Sequence, residues 1–550
     1  MILHTDIAII GGGSAGLAAA VEAKKCGAKK VTLIERDSYL GGVLVQCVHN
    51  GFGLQYFGKD LAGPEYAARF IDMLNEYEID LMMETMVLSL SKDRVITAVS
   101  KERGMMTIQA GAVILAMGCR ERPRGSINIF GSRPAGIYTA GAAQRMINVD
   151  GFLPGKKIVL LGSGDIGMIM ARRLTLANCE IMAAVEVLPY IGGLVRNESQ
   201  CLKDFNIPVY LKHTVSEIHG NEHITGVTIS EVDSRFQPIP GTEKYIECDT
   251  LLLSVGLIPE NELTRDAGID IADIGGPVVD ENMMTVAPGI FAAGNVVHVH
   301  DLVDYISQSA AVAGRAAVRF INGELSGSEW RIKVKPGQNV RYVVPQHLVA
   351  EPGEGATLYL RVTRPMEKAL LKLSDDLFEQ KCTKAKPSEM MKIELSAEQV
   401  AKITNGELTV DCICEQEHPD DSQNLDHAGG IEVICTTCPM ACRGRVFLDE
   451  DGKPVRTIGY RCPRGNAFAM KEMTNPERML TGTMLTLGND QPLLPVISEA
   501  PIPKNLMMKA MEYMADIVID KPVKRGDVVV ENILGTGVNM LASADYPQKR

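Results

Sequence analysis

Four cysteines crowd into one stretch of this 550-residue chain: Cys435, Cys438 and Cys442, then Cys462 followed by Pro463. Two residues separate the first pair, three the second and nineteen the last. Three thiols on one short turn, closed by a distant fourth, can wrap a cubane [4Fe–4S] cluster, because its iron prefers thiolate ligands. Zinc accepts four cysteines as well, although structural zinc more often uses two symmetric knuckles than a three-plus-one spacing. Bare thiols are the remaining alternative. Arg443, Arg445, Arg461 and Arg464 flank the set. Beside an anionic cluster they would raise its potential; otherwise they form a solvated basic surface, which could also dock an acidic electron partner.

A second chemistry is written twice. The run DIAII leads into Gly11, Gly13 and Gly16, and Glu35 ends the next apolar run. The run KIVLL leads in the same way into Gly162, Gly164 and Gly167, with Glu186 at the same distance. Even the pair Gly41-Gly42 recurs as Gly192-Gly193, so the copies align without a gap. One register held over this length marks two copies of one strand–helix–strand unit. The first glycine allows a tight strand-to-helix turn, the second lets the backbone approach a pyrophosphate, and the third lets helix and strand pack closely. Phosphates then meet the free N–H groups and the positive end of the helix dipole. A carboxylate ending the second strand can accept the ribose hydroxyls. A glycine-rich turn without a ligand is the bland alternative, and duplication with a distal acid argues against it. Glu186 would repel a 2′-phosphate and Val187 offers no compensating cation, so the second site is expected to prefer NADH to NADPH; Arg196, further on, complicates that preference.

These residues need elements to hold them. Single cores rarely grow past roughly 250–300 residues, so several domains are expected. A hydrophobic content of 46% and a charged content of 23% are ordinary for globular protein. With 56 basic and 68 acidic side chains the net charge is −12, which argues against nucleic acid as a partner. The sequence runs from its first residues into a strand without a charged, apolar leader, and no stretch of about 18 apolar residues occurs, so neither a signal nor a membrane span is expected. Nine of the 13 cysteines are scattered and read as small buried hydrophobes. Clustering of the other four without a secretion signal favours metal over disulfides and a reducing cytoplasm.

With its duplicated turns the sequence resembles the two-dinucleotide-binding pyridine nucleotide–disulfide oxidoreductases over about residues 1–325. The resemblance extends to Ala116-Met117-Gly118 and Ser254-Val255-Gly256, where the chain would cross between domains, and to Thr285-VAPGIFAAG-Asn295. It implies FAD on the first unit, at Gly11, Gly13, Ser14, Ala15, Gly16, Glu35, Arg36, Gly42, Ala116, Gly118, Gly294 and Asn295. It implies NADH on the second, at Gly162, Gly164, Asp165, Ile166, Gly167, Glu186 and Gly256. The family's usual Asp after Gly294 is here Asn295, which can still donate a hydrogen bond without carrying charge. The family's redox disulfide is missing: Cys47 stands alone after Gly41-Gly42, and no C-x2-C occurs in the second unit. Disulfide reduction is therefore not expected. Cys47 and His49 fall where the chain should pass the isoalloxazine, as a thiolate tuning the flavin and a proton carrier, with plain packing as the alternative. His298 and His300 could face the flavin pyrimidine, or cap and lie at the surface.

The segment around the four cysteines resembles a small cysteine-rich bacterial module over about residues 432–545, and its cysteine run is similar to the start of molybdopterin oxidoreductases, although no pterin-binding domain follows. The first resemblance implies a partner flavoprotein similar to glycerol-3-phosphate dehydrogenase; a small electron carrier would also serve. The expected architecture is α/β, with two Rossmann-like three-layer domains, a small β-rich domain and a cysteine-rich α+β module. Boundaries are expected at 1–122 with 249–328 for FAD, 123–248 for NADH, 329–412 for the β-rich domain, 413–431 for an acidic linker and 432–550 for the module. The expected function is electron transfer between NADH, FAD and a [4Fe–4S] cluster, in an oligomer. Three rival readings remain: an oxidase using O₂ above a structural metal, a dehydrogenase that itself oxidises glycerol 3-phosphate, and an electron relay with a vestigial NADH unit.

Overall fold

The computed structural model describes residues 2–327, 329–351, 353–414, 429–438, 440–488 and 491–547. Most of the expected linker lies outside these residues.

Strand Ile2–Ile10 runs parallel to Val31–Ile34 on one side and Gly104–Leu115 on the other. Its residues Ile7 to Ile9 are fully buried, as a central parallel strand covered on both faces requires. Strand Ile290–Ala292 returns much later in the chain to pair with Gly104–Leu115 and complete a seven-stranded sheet. Helix Ser14–Lys25 is rich in alanine, and this smallness lets helix Val303–Ile321 lie directly on it. A Cβ added to Gly314 would stand 2.6 Å from the Ala19 carbonyl oxygen.

The second unit repeats the plan in a five-stranded parallel sheet ordered Ile137–Thr139, Thr250–Leu253, Lys157–Leu161, Glu180–Glu186 and Val209–Leu211. Helix Asp165–Thr175 is its counterpart of the first glycine-turn helix. The two crossings between the sheets lie side by side, as Cys119–Glu121 pairs antiparallel with Leu257–Pro259.

Residues 332–414 form a β-rich body of a five-stranded and a three-stranded sheet around Leu358, Leu360, Leu371 and Leu408. Beyond it come a three-stranded meander with helix Pro463–Glu472, then a five-stranded sheet carrying helix Met507–Ala515. The architecture is mixed α/β with two Rossmann-like sheets, a β-rich region and a distinct cysteine-bearing module.

This module is joined firmly to the second unit. Leu176, at the end of the second turn's helix, enters the module's core with Leu480, Met484 and Met511. Beside it the Arg478 guanidinium donates to both oxygens of Asp204, at 2.7 and 3.0 Å, and to Glu472, while Lys504 also reaches Asp204 at 2.7 Å. Arg478 and Asp204 side chains are only 5% and 9% exposed, so removing one partner strands a buried charge. Arg478→Ala should therefore lower unfolding stability by about 3–5 kcal/mol in a denaturant titration. Burial alone would raise the Asp204 carboxyl, but the hydrogen bonds and charges of Arg478 and Lys504 hold it below its ordinary value. A depressed folded pKa gives stability that is complete above the unfolded value and is lost as pH falls through the folded one. The stability gap between wild type and Asp204→Asn should accordingly narrow as pH drops below ~4.

Candidate functional site

Both glycine turns are built on one plan. Gly11 and Gly162 have φ of +106° and +90°, the region that glycine alone adopts freely. A Cβ at either would strike the neighbouring strand end, 2.4 Å from Ala116 O or 2.2 Å from Ser254 O. Those two residues are themselves equivalent, as Ala116 N–H donates to Ile10 and Ser254 N–H to Leu161. Gly16 touches Gly11, where an added Cβ would lie 1.8 Å from the carbonyl oxygen, and Gly167 meets Ser254 at 2.6 Å.

The middle glycine differs in kind. Gly13 has an ordinary φ of −78° and the nearest atom to its hypothetical Cβ, Gly42 Cα, is 4.0 Å away. Nothing in the protein demands glycine there. What it leaves bare is a surface at the start of helix Ser14–Lys25, whose N-terminus has no side-chain cap beside Ser14 and Ala15. Gly164 before Asp165 and Ile166 is similar, with φ −65°, no side-chain cap, and the Ser254 hydroxyl 3.0 Å from its Cβ position. Room at the backbone and uncapped N–H groups are what a pyrophosphate needs, so both turns fit a dinucleotide.

The distal acids lock onto these turns. Glu35 accepts from Gly12 N–H at 2.6 Å and Asp37 N–H at 2.8 Å. Glu186 accepts from Ser163 N–H and Leu188 N–H, both at 2.8 Å, and from the Ser163 hydroxyl at 2.5 Å. Both carboxylates are buried, whereas Arg36 is exposed. Arg196 turns away from any role at Glu186: its guanidinium lies over Gly51 of the first unit, 3.2 Å from that residue's Cβ position. Asp165 accepts from Leu194 N–H at 2.8 Å and Asn197 Nδ2 at 2.7 Å, and burial raises it to about 6.

Gly294 abuts the first turn, its Cβ position 2.9 Å from the Ala15 methyl. Asn295 accepts from His300 N–H at 3.0 Å and stands 3.6 Å from Cys119 Sγ. His298 and His300 are buried, not at the surface, with ring centroids 4.1 Å apart and packed on Tyr359. Among the described residues His298 Nδ1 and His300 Nε2 have no hydrogen-bond partner. Burial pushes His300 down to about 3 and His298 well below its ordinary value, so both rings are neutral and each can donate one hydrogen bond without positive charge. Gly118 and Gly256 lie on the two crossings, at φ +73° and +107°.

From Gly42, in contact with Gly13, a short 3-10 helix runs to Cys47. The Cys47 thiol faces Gln144 Oε1 at 3.7 Å, across the seam with the second unit. Burial raises it to about 12, so at neutral pH it is a thiol where the sequence suggested a thiolate. Burial, aided by Arg196 and Arg172, takes His49 down to about 4, against the opposing pull of the Asn50 carbonyl; the ring is neutral and packs 4.8 Å from Phe52. No disulfide links any of the described cysteines.

Two positioning groups leave no clear mark in the sequence. Asp304 accepts from Gly53, Gln55 and Tyr56 N–H at 3.1, 3.1 and 2.7 Å, tying the loop after Cys47 to the Val303–Ile321 helix. Arg361 of the β-rich body forms a buried ion pair with Asp301 and donates to Tyr342 at 3.1 Å, closing that body over the histidine pair. An acid in a helix first turn was the available signal for Asp304, but ordinary capping explains such an acid equally well.

The four cysteines share one end of the three-stranded meander. Cys435 follows strand Ile431–Ile434, Cys442 precedes Arg443–Leu448, and Cys462 comes shortly after Pro454–Ile458. Cys435 N–H donates to Cys442 O at 2.9 Å, and both thiols lie close enough to Tyr460 to add to the burial that raises its hydroxyl pKa. Cys462 caps helix Pro463–Glu472, and N–H groups of Gly465 and Arg464 lower its pKa. Among the described residues, however, no group of three or more His, Cys, Asp or Glu side chains is arranged to hold a metal ion. Arg443 pairs with Glu432 at 3.5 Å and Arg445 donates to the Gly430 carbonyl.

Residues 5–317 match the family described as pyridine nucleotide-disulphide oxidoreductase. The chain belongs to that family. It is therefore an FAD-dependent NAD(P)H oxidoreductase by class. An opine oxidase subunit of Agrobacterium tumefaciens (strain Ach5) is 26% identical over 331 residues, 57% of this chain and 64% of that protein. The HcnB subunit of hydrogen cyanide synthase from Pseudomonas protegens is 26% identical over 284 residues, 48% of this chain and 58% of its own length. The chain thus spans less than two thirds of these relatives. Thioredoxin reductase of T. acidophilum aligns at 24% identity with a TM-score of 0.48, over 59% of this chain and 99% of that structure. Residues 463–544 match a family described as a protein of unknown function, DUF1667, a match that begins just after Cys462.

Replacing Asp304 by Ala removes three charge-assisted hydrogen bonds from the loop beside Cys47. It is expected to destabilise the protein by about 3 kcal/mol in chemical denaturation, with Asp304→Asn losing less, because one acceptor oxygen remains.

Proposed function

We propose that the chain oxidises NADH at its second glycine turn, delivers the electrons to FAD at its first, and passes them to a partner protein. The observation that carries this reading is the duplicated turn, in which two carboxylates hold two glycine loops through equivalent N–H groups. FAD, when bound, supplies the exchange between hydride and single-electron chemistry. The residues of the chain position and insulate. Gly13 and Gly164 let phosphates reach the uncapped helix ends, and Glu35 and Glu186 face the riboses. The negative charge of Glu186, with Arg196 turned to Gly51, favours NADH over NADPH. Neutral His298 and His300, closed in by Arg361 and Tyr359, can donate a hydrogen bond where the isoalloxazine pyrimidine would lie. Cys47 is a part-buried thiol that no disulfide links to another cysteine among the described residues, so in this reading electrons leave by another route.

The four cysteines are read as that route's metal site, holding a [4Fe–4S] cluster, with zinc as the alternative. Support comes from four thiol donors at one end of a single small sheet, one of them eased towards the thiolate by helix N–H groups. A partner is supported by the relatives named as subunits, and a flavoprotein similar to glycerol-3-phosphate dehydrogenase or a small carrier fits the role. No helix among the described residues is long and apolar enough to cross a membrane; the reducing cytoplasm is the proposed compartment.

Anaerobic purification followed by iron, sulfide and zinc analysis and NADH titration tests this directly. The expected result is near-stoichiometric iron and sulfide, flavin bleaching by equimolar NADH, and at least tenfold weaker use of NADPH, a difference of about 1.4 kcal/mol. Flavin that NADH does not bleach, or rapid peroxide formation that leaves nothing for a partner, would contradict the reading.

A further inference from the structure

A small cavity lies where three parts of the chain meet. Val48 and His49 of the first unit, Gln144, Asn148, Arg172 and Arg173 of the second, and Thr481 of the carboxy-terminal module contribute to its wall. Its volume of about 20 Å³ admits one water-sized group. Both arginines are only 8% exposed. Among the described residues no carboxylate lies within ion-pairing distance of either. Arg173 donates to Asn148 Oδ1 and Thr483 Oγ1, both at 2.9 Å, and Arg172 to the Met479 carbonyl at 3.0 Å, all neutral acceptors. Among the described residues Arg172 Nε has no acceptor, nor does Nε of the buried Arg196 nearby.

The carboxylates that could have answered this charge are committed elsewhere. Asp204 is held by Arg478 and Lys504, and Asp165 by Leu194 and Asn197. Of the other titratable neighbours, His49, Cys179 and Cys201 are uncharged at neutral pH, while Arg196 and Arg478 add further positive charge. Asp204 acts on Arg172 only through space, so two desolvated guanidiniums with no bonded carboxylate among the described residues line a space for one small group, and an anion entering it would be favoured.

We propose that this junction binds a small monovalent anion, a halide or the head of a carboxylate, which offsets part of the positive charge of Arg172 and Arg173 and fastens the module to the nucleotide-binding units. A ligand that binds only the folded state raises its melting temperature with concentration. The full-length, FAD-loaded protein should therefore gain about 3–5 °C, saturably, on titration with sodium chloride or bromide at ionic strength held constant with a bulky sulfonate buffer. Acetate tested alongside distinguishes the two sources: a shift with acetate alone assigns a carboxylate, and a shift with the halides alone assigns a halide. Arg172→Leu and Arg173→Leu should each abolish the shift. Should either variant fail to fold, ³⁵Cl line broadening on the wild-type protein, reversed by bromide or acetate, serves in its place. Melting temperatures indifferent to all three anions, an undiminished shift in both variants, or the absence of displaceable broadening would overturn the assignment.

Discussion

In the first nucleotide unit helix and strand meet backbone to backbone, with no space for a side chain between them; in the second the small Ser254 side chain fills the corresponding contact. The 1.8 Å separation that a Cβ on Gly16 would have from Gly11 O states the constraint numerically, and a Cβ on Gly167 would lie 2.6 Å from the Ser254 Cβ. Because the helix cannot stand off from the strand, its N–H groups point to one place. The buried carboxylate that bonds the turn then has one place to be as well. The remainder of the site is attached to this contact: Gly42 rests on Gly13, the short helix after it leads to Cys47, and Gly294 closes on Ala15. A site made in this way is rigid before any ligand arrives, which suits chemistry that needs two ring systems placed face to face rather than a reactive side chain.

Much of this was legible in the sequence because it is local and duplicated. The spacing from Gly11 to Glu35, repeated from Gly162 to Glu186, reappears as hydrogen bonds to Gly12 and Ser163 in the same register. The change from parallel α/β units to short alternating strands near residue 330 was also readable, since period-two patterning reports a sheet exposed on one face. What stayed hidden depends on distant pairing. Asp304 answers N–H groups some 250 residues earlier, and Arg478 answers Asp204 across a comparable separation. Neither leaves a local pattern. Charge state was hidden for a related reason. Cys47 could be read as a thiolate and His49 as a proton carrier only until burial was known, and burial makes the first a thiol and the second a neutral ring.

The cysteine-bearing module illustrates a different limit. Strand order brings Cys435, Cys442 and Cys462 to one end of a meander, yet the described side chains do not close into a metal-holding group. Thiolates around a metal are drawn together by the metal itself, so binding and final geometry arise in one step. The module's anchorage is plain by contrast. Leu176 sits in the core of its five-stranded sheet, and Arg478 beside that sheet is bonded to Asp204 of the second unit.

One pair of substitutions bears most directly on the claim that two equivalent turns hold two different dinucleotides. Gly13 and Gly164 have ordinary backbone angles. A methyl group meets nothing closer than 4.0 Å at Gly13, and only the Ser254 hydroxyl, at 3.0 Å, presses on one at Gly164, so both Gly13→Ala and Gly164→Ala should fold once that hydroxyl shifts slightly. Bound FAD and the NADH dependence of flavin reduction can then be measured on each. Gly13→Ala is expected to lose FAD while the protein still binds NADH; Gly164→Ala is expected to keep its FAD and to require about tenfold more NADH, a loss of ~1.4 kcal/mol. Wild-type FAD content and wild-type NADH dependence in both variants would mean that the bare backbone at these turns faces no phosphate, contradicting the assignment of both sites.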